Sequence, residues 1–397
     1  MEYMQFTLPS SAHTLRQAAL VFDIGSGSVG AGVVLVGVAG KESRIAISRR
    51  ITLSQEDRDE KQLIVAISSA VEKVGTFVLK SYAESPLHKE YGSPQSIYVT
   101  VHAPWVRSST SEGLLLLKAP TSITKELISQ AWVAKSEKKE PIPSTHQKLE
   151  QMVVRVELNG YPTGNPIGKV ASSLRSVVLE SVISSTFYSA IEQGIHSILP
   201  GKPIIARSAA FTYSRVIKDI SPQLDSYLFV DISSEASACS VVQGGTITNL
   251  GSVPVGFRTL VRSAAAAQKG TVQETLSMIR LITEGGSTDG AANSIEKAIA
   301  DAESEYMRAF GEVFSSLSKT ERLPNTLFLA IHPKLSVWAK GFFGRIDFSQ
   351  FTLTGKPFGV VVLSSRLLAP IVVYTKDAHP DSGVGTTAAL VHIERVS

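Results

Sequence analysis

The residues in this chain best suited to chemistry lie in Leu20–Val36, which reads L-V-F-D-I-G-S-G-S-V-G-A-G-V-V-L-V. An apolar run enters Asp23, glycines follow at 25, 27, 30 and 32, and a second apolar run leaves. Glycine lets backbone N–H groups converge on a small anion because no Cβ blocks the approach. Ser26 and Ser28 add hydroxyl donors, and Asp23 is placed to hold a hydrated Mg²⁺. These residue types point to a phosphate hairpin. No G-x-x-x-x-G-K-[ST] occurs, and the glycines lead into a strand rather than a helix, against the dinucleotide pattern.

The pattern has an echo about half the chain away. Ser226–Val242 reads S-Y-L-F-V-D-I-S-S-E-A-S-A-C-S-V-V, again strand, Asp-Ile, small residues, strand. Asp231 repeats Asp23, and Ser233 and Ser234 stand where phosphate donors would. Such an echo implies two related domains that offer their hairpins to a shared cleft.

The elements that position these hairpins alternate irregularly between strand and helix, an α/β signature. Arg44–Leu53 reads as a third strand, Leu63–Tyr82 as a helix by its apolar spacing, and Ser96–Val106 as a strand ended by Pro104. A short apolar run follows at Leu114–Leu117, then a helix at Thr124–Lys138, and Lys135–Lys148 is the best loop of the first half. Met152–Leu158 and Leu174–Ser184 are strands around a turn-rich loop, followed by helices at Phe187–Ile198 and Ala209–Ile217 flanking a strand at Pro203–Ala206. In the second half, Ile247–Val253 is a strand and Arg258–Leu317 is mostly helical with a Gly-rich turn at 285–290. Strands at Leu327–Ile331, Val360–Leu363 and Ile371–Tyr374, with helices at Leu335–Phe343 and Gly383–His392, complete the chain.

Composition narrows the function classes. At 397 residues the chain exceeds one ordinary core, and 43% hydrophobic with 19% charged residues fits a folded globular protein. A net charge of +4 with no Lys/Arg run or stacking-aromatic cluster argues against nucleic acid. The single cysteine, Cys239, suits a small core residue in a reducing compartment. Met1–Gln17 lacks the features of a secretory signal and reads as a flexible leader. The eight histidines are scattered without metal-ligand spacing.

Two Asp-hairpins at this separation resemble the actin/Hsp70/sugar-kinase superfamily, and within it the chain is similar to the bacterial cell-division family FtsA from 20 to 392. The resemblance rests most on 96–184, where I-Y-V-T-V-H-A-P-W-V-R-S, G-L-L-L-L and L-N-G-Y-P-T-G-N-P-I-G-K-V are similar to the FtsA-type inserted subdomain. T-N-L-G-S-V-P-V-G-F at 248–257 resembles the joint after the second hairpin. The implied fold is α/β, an actin-like (ribonuclease H-like) two-domain architecture with that insertion. The implied division is a leader at 1–19, a first actin-like subdomain at 20–95, the insertion at 96–184 and a return to the first domain at 185–225. A second domain at 226–375 with a helical subdomain at about 258–317, and a closing helix at 376–397, complete it.

The resemblance implies ATP and Mg²⁺ in the cleft. Asp23 and Asp231 would orient hydrated Mg²⁺, and Gly25, Ser26, Gly27, Ser28, Ser233 and Ser234 would hold phosphates. The chain departs from the family at the second hairpin, where a D-I-G-G-G-T-T-D type has become D-I-S-S-E-A-S-A and Glu235 would bring negative charge towards phosphate. The adenosine stretch, an L-T-G-G type in the family, is Leu329, Ala330, Ile331, His332, Pro333. Two readings of the cleft follow: a nucleotide site, or a degenerate one with weak or lost ATP binding and at most weak ATPase activity.

The implied role is a cytoplasmic adaptor that links an FtsZ-like tubulin homologue to membrane-bound division proteins and self-associates into filaments. The family's amphipathic anchoring tail does not follow Gly383–His392, which leaves two alternatives: a truncated sequence, or membrane contact through partners. The alternative is the pilus-assembly relative PilM, of the same fold, which binds the cytoplasmic tail of an inner-membrane protein. A sugar or acid kinase is disfavoured by Ile331 and His332.

Overall fold

The computed structural model describes residues 16–396 apart from 38–40, 54–58, 137–141, 269, 285–289, 320 and 346. Most of the expected leader, part of the 135–148 loop and most of the 285–290 turn therefore lie outside the described residues.

The chain begins with β1 (Ala18–Ile24), β2 (Ser28–Leu35) and β3 (Ser43–Thr52), an antiparallel meander whose first two strands are almost wholly buried. Helix α1 (Glu60–Glu84) starts at Asp59, whose side chain accepts from the Gln62 N–H, and a short α2 (Pro86–Tyr91) follows. Strand β4 (Ser96–Val101) then returns parallel to β1. Next come β5 (Val106–Ser122), α3 (Lys125–Ser136), β6 (His146–Leu158), β7 (Tyr161–Pro162) and β8 (Val170–Ser184). Helix α4 (Ser185–Ile198), β9 (Ile204–Ser208) and α5 (Ala209–Ile220) close the first half.

The second half repeats the plan. A meander of β10 (Tyr227–Ile232), β11 (Ser237–Gln243) and β12 (Thr246–Val253) leads to three helices, α6 (Phe257–Gln268), α7 (Val272–Thr283) and α8 (Gly290–Leu317). Strand β13 (Thr326–Ile331), α9 (Ser336–Arg345), β14 (Gly359–Val362), β15 (Val372–Tyr374) and α10 (Ser382–Val396) complete it.

The described residues form three sheets. The first has the order β15-β3-β2-β1-β4-β9 and the second β12-β11-β10-β13-β14. Leaving β15 aside, each is an antiparallel meander extended by two parallel strands, so the sequence echo is an echo of topology. Strand β15, expected with the second domain, instead adds parallel to β3 at the edge of the first sheet. Helix α10 follows it there and packs on β1 and β3.

The third sheet, β5-β8-β6-β7 with α3 on one face, is formed within 106–184. Its strand β5 runs far beyond the apolar stretch at Leu114–Leu117 because most of the strand is polar and solvent-facing. Leu179, Val242 and Ile247 share one apolar cluster, so this sheet packs into the core between the two lobes. Thr110 Oγ1 also donates to the Thr248 carbonyl at 2.8 Å.

Helix α1 is long and apolar enough to cross a membrane by length and composition. Its stripe Ile64, Ile67, Val71, Val74 and Val78 is instead buried with Phe22, Val33 and Ile195 in the core of the first lobe.

Candidate functional site

The two Asp-hairpins meet at the junction of the lobes. Asp23 pairs with Gly30 on β2 and Thr100 on β4, and Asp231 pairs with Ala238 on β11 and Ala330 on β13. Seven of the eight residues expected to hold nucleotide line one cleft: Asp23, Gly25, Gly27, Ser28, Asp231, Ser233 and Ser234. The eighth, Ser26, is fully buried against the opposite hairpin.

Both carboxylates are engaged by side chains of the protein. His102, two residues beyond Thr100 at the end of β4, lies between them: Nε2 is 2.7 Å from Asp23 Oδ1, and Nδ1 is 2.7 Å from Asp231 Oδ2. All three side chains are buried. Burial pulls the His102 pKa down, but the carboxylates of Asp231 and Asp23 outweigh it and hold it up at about 10. Burial likewise works against ionisation of Asp23, yet His102 and Arg50 together hold its pKa well below the usual carboxylate range. The bridge is a carboxylate–imidazolium–carboxylate array in which both ring N–H groups donate.

Arg50, on β3, saturates the outer side of Asp23. Its Nη2 donates to Asp23 Oδ2 at 2.6 Å, Nε to Asp381 Oδ2 at 2.6 Å and Nη1 to Ser28 Oγ at 2.9 Å. Asp381 in turn accepts from the Val384 N–H at the start of α10. Gly383 is required here, because a Cβ would stand 2.3 Å from Asp23 Oδ2. Beneath the bridge, Thr387 Oγ1 donates to Thr100 Oγ1 at 2.9 Å, and Thr100 meets Thr212 at 3.3 Å, a buried hydroxyl chain joining β4, α5 and α10. Tyr213 turns its ring edgewise to His102, with centroids 5.9 Å apart.

The hairpin tips touch each other. Ser26 Oγ lies 3.3 Å from Ser233 Oγ and accepts from the Glu235 N–H at 3.1 Å. A Cβ on Gly27 would be 2.3 Å from Ser234 Oγ. Glu235, expected to point towards phosphate, is drawn instead to Arg258 and Arg262 on α6.

These contacts test the fit of Mg·ATP. A phosphoryl group held between two walls needs a hydrogen bond of about 2.9 Å to each, in addition to its own width. Hydroxyls already at 3.3 Å leave no such gap. The two aspartates that would orient the metal shell are taken up by His102 and Arg50. On the adenosine side, the His332 ring lies over Phe257 with centroids 5.5 Å apart. The residues present do not fit the nucleotide that the sequence resemblance implies. The cleft itself has a volume of about 340 Å³ and is lined by both hairpins and by Arg50, Phe257, His332, Lys334 and Asp381.

His102, Arg50 and Asp381 were not among the residues expected from sequence. The signal for His102 was present: in the repeat, it and His332 each stand two residues past the strand neighbour of a hairpin aspartate.

A second cavity of about 420 Å³ lies between β6 and β9. It is lined by 147–152, by 204–207 and by Tyr188 of α4. Among the described residues, β9 is the outer strand of its sheet, and this part of β6 pairs only with β8. Glu150 sits in the wall, buried, and Oε1 accepts from Ser181 Oγ at 2.8 Å and from the Ser208 hydroxyl. Burial pushes its pKa up against these donors.

No protein-family model matches the chain, and no curated protein matches it either. Among solved structures, the PilM-PilN type IV pilus biogenesis complex is similar at a TM-score of 0.60 with 11% identity, over 96% of this chain and 99% of that one. The ethanolamine utilization protein EutJ from Carboxydothermus hydrogenoformans gives a TM-score of 0.45 with 11% identity, over 98% and 91% of the two chains. A Bacteroides thetaiotaomicron protein with an actin-like ATPase fold and unknown function gives 0.37 with 9% identity, over 91% and 94%. The chain has an actin-like fold, built of two topologically matched lobes with a third sheet between them.

Proposed function

We propose that this protein is a non-enzymatic, PilM-like adaptor of a pilus-type assembly machine that binds the cytoplasmic tail of an inner-membrane partner without using ATP. The observation that carries this reading is the full-length likeness to PilM, which spans 96% of this chain and 99% of that one. The contacts between the hairpins, and the aspartates committed to His102 and Arg50, support the nucleotide-independent part. The protein would be cytoplasmic, recruited to the inner face of the membrane through that partner.

The groove between β6 and β9 suits an extended tail. Strand edges without a neighbour among the described residues offer main-chain hydrogen bonds, and Leu149, Met152, Tyr188 and Ile205 offer apolar contacts for alternate side chains. A second reading, the FtsA-like division adaptor with an FtsZ-like partner and filament formation, is favoured by N-P-I-G at 165–168 and T-N-L-G-S-V-P-V-G-F at 248–257.

A binding comparison separates them. The N-terminal tail peptide of the source organism's pilus inner-membrane protein and the C-terminal tail of its FtsZ are each titrated against the protein, with hydrogen exchange read at 147–152 and 204–207. The adaptor reading predicts binding of the pilus tail with protection of those segments, unchanged by Mg·ATP. Binding of the FtsZ tail alone contradicts it and favours division.

A further inference from the structure

We infer that His102 is the chain's own link between the two lobes, its ring bridging both hairpin aspartates at the point where the sequence resemblance would put a hydrated metal ion. The inference does not depend on which partner the protein binds.

Three features carry it. Asp23 belongs to the first sheet and Asp231 to the second, so two like charges meet across the lobe junction in a buried site. Left alone they would repel strongly, since burial removes the water that screens them. A donor between them turns repulsion into a cross-link, and the ring of His102 reaches both carboxylates at 2.7 Å. Its Nδ1–H to Asp231 is the bond that crosses the junction.

Other contacts tie the lobes together around the bridge. Ser26 and Ser233 touch across the same junction, with the Glu235 N–H donating to Ser26. On the far side, the β5-β8-β6-β7 sheet is packed against the second lobe through Thr110–Thr248 and the shared apolar cluster. A hinge opening would have to break the imidazolium bridge, part the hairpin tips and expose that cluster together.

A cation link can be exchanged. Truncating His102 leaves two facing carboxylates and a void the size of an imidazole, a site suited to a hydrated divalent cation with oxygen ligands. The wild-type protein has no such vacancy for Mg²⁺.

The experiment compares thermal unfolding of the full chain and His102→Ala in MgCl2 and in NaCl of equal ionic strength. The variant should melt lower than wild type in NaCl and recover by at least about 2 °C in MgCl2, while wild type shows no Mg²⁺-specific shift. The double variant His102→Ala/Asp231→Asn, with one carboxylate neutralised, should lose the Mg²⁺ response. If His102→Ala does not fold in NaCl, His102→Ser also vacates the ring's space while offering a hydroxyl, and it should show the same Mg²⁺-specific gain. Wild type stabilised by Mg²⁺ as much as the variants, or both single variants indifferent to it, would overturn the inference.

Discussion

His102 and His332 stand at equivalent points of the two halves, each two residues past the strand residue that faces a hairpin aspartate: Thr100 beside Asp23, and Ala330 beside Asp231. Their environments are opposite. His102 sits between two carboxylates and holds its proton. Burial, with Arg50 and Lys334 nearby, pushes His332 down to about 4, so it stays neutral. One repeat position has become a structural cation, and the other an uncharged ring against Phe257.

That contrast should appear in stability. His102→Ala removes the shared partner of two buried charges and should cost about 3–5 kcal/mol. His332→Ala loses only a turn cap on the Lys334 N–H and some packing, about 1 kcal/mol. Urea unfolding of the two variants measures the difference, and equal losses would remove the distinction.

Arg50 is needed for its shape as well as its charge. It contacts Asp23, Asp381 and Ser28 through three different nitrogens. Lysine offers one ammonium and cannot span that set. Arg50→Lys should therefore destabilise by about 1–3 kcal/mol despite keeping the charge, with little dependence on salt because the group is screened from solvent. A silent Arg50→Lys would contradict the reading of the fork.

The hairpin contact makes a sharper claim. Gly27→Ala places a methyl 2.3 Å from Ser234 Oγ and 2.5 Å from its Cβ. The clash should cost about 1–3 kcal/mol, and Ser234→Gly should relieve most of it in the double variant. Strictly additive losses in that cycle would mean the hairpins do not touch in solution.

Glu150 gives the pH test. Its carboxyl is raised above the ordinary 4.5 by burial, so ionisation is harder in the folded state than in the unfolded one. Below pH 4.5 both states carry the proton and no penalty exists; the penalty grows as pH rises through the folded value. Glu150→Gln should thus be more stable than wild type at pH 8, on the order of 1 kcal/mol, with the gap closing in acid. A gap that widens on acidification would reverse the assignment.

Much of the architecture was legible in the sequence. The repeated Asp-Ile after an apolar run located both hairpins, and helical spacing from Leu63 to Tyr82 located α1. Strand β5 was largely hidden, because a solvent-facing edge strand carries little apolar alternation. Strand β15 looked like part of the second domain, since three residues give no sign of which sheet they join. At the site, the aspartates and glycines were visible as types, but their partners were not. His102, Arg50 and Asp381 reach Asp23 from 79, 27 and 358 residues away in sequence (381 − 23 = 358 for Asp381, which acts through Arg50). No local pattern reports such a convergence, nor the contact that Ser26 and Ser233, read as phosphate donors, make with each other across the two hairpins.

The most direct test of the closed, self-linked cleft is calorimetric titration of Mg·ATP into the full chain after any carried-over nucleotide has been removed, paired with thermal unfolding in the same buffer. The account predicts no saturable heat and an unchanged Tm at about 1 mM nucleotide, because a ligand that does not bind the folded state cannot stabilise it. A saturating isotherm accompanied by a Tm rise of a few degrees would contradict it, and would mean that the lobes part to admit nucleotide between Ser26 and Ser233.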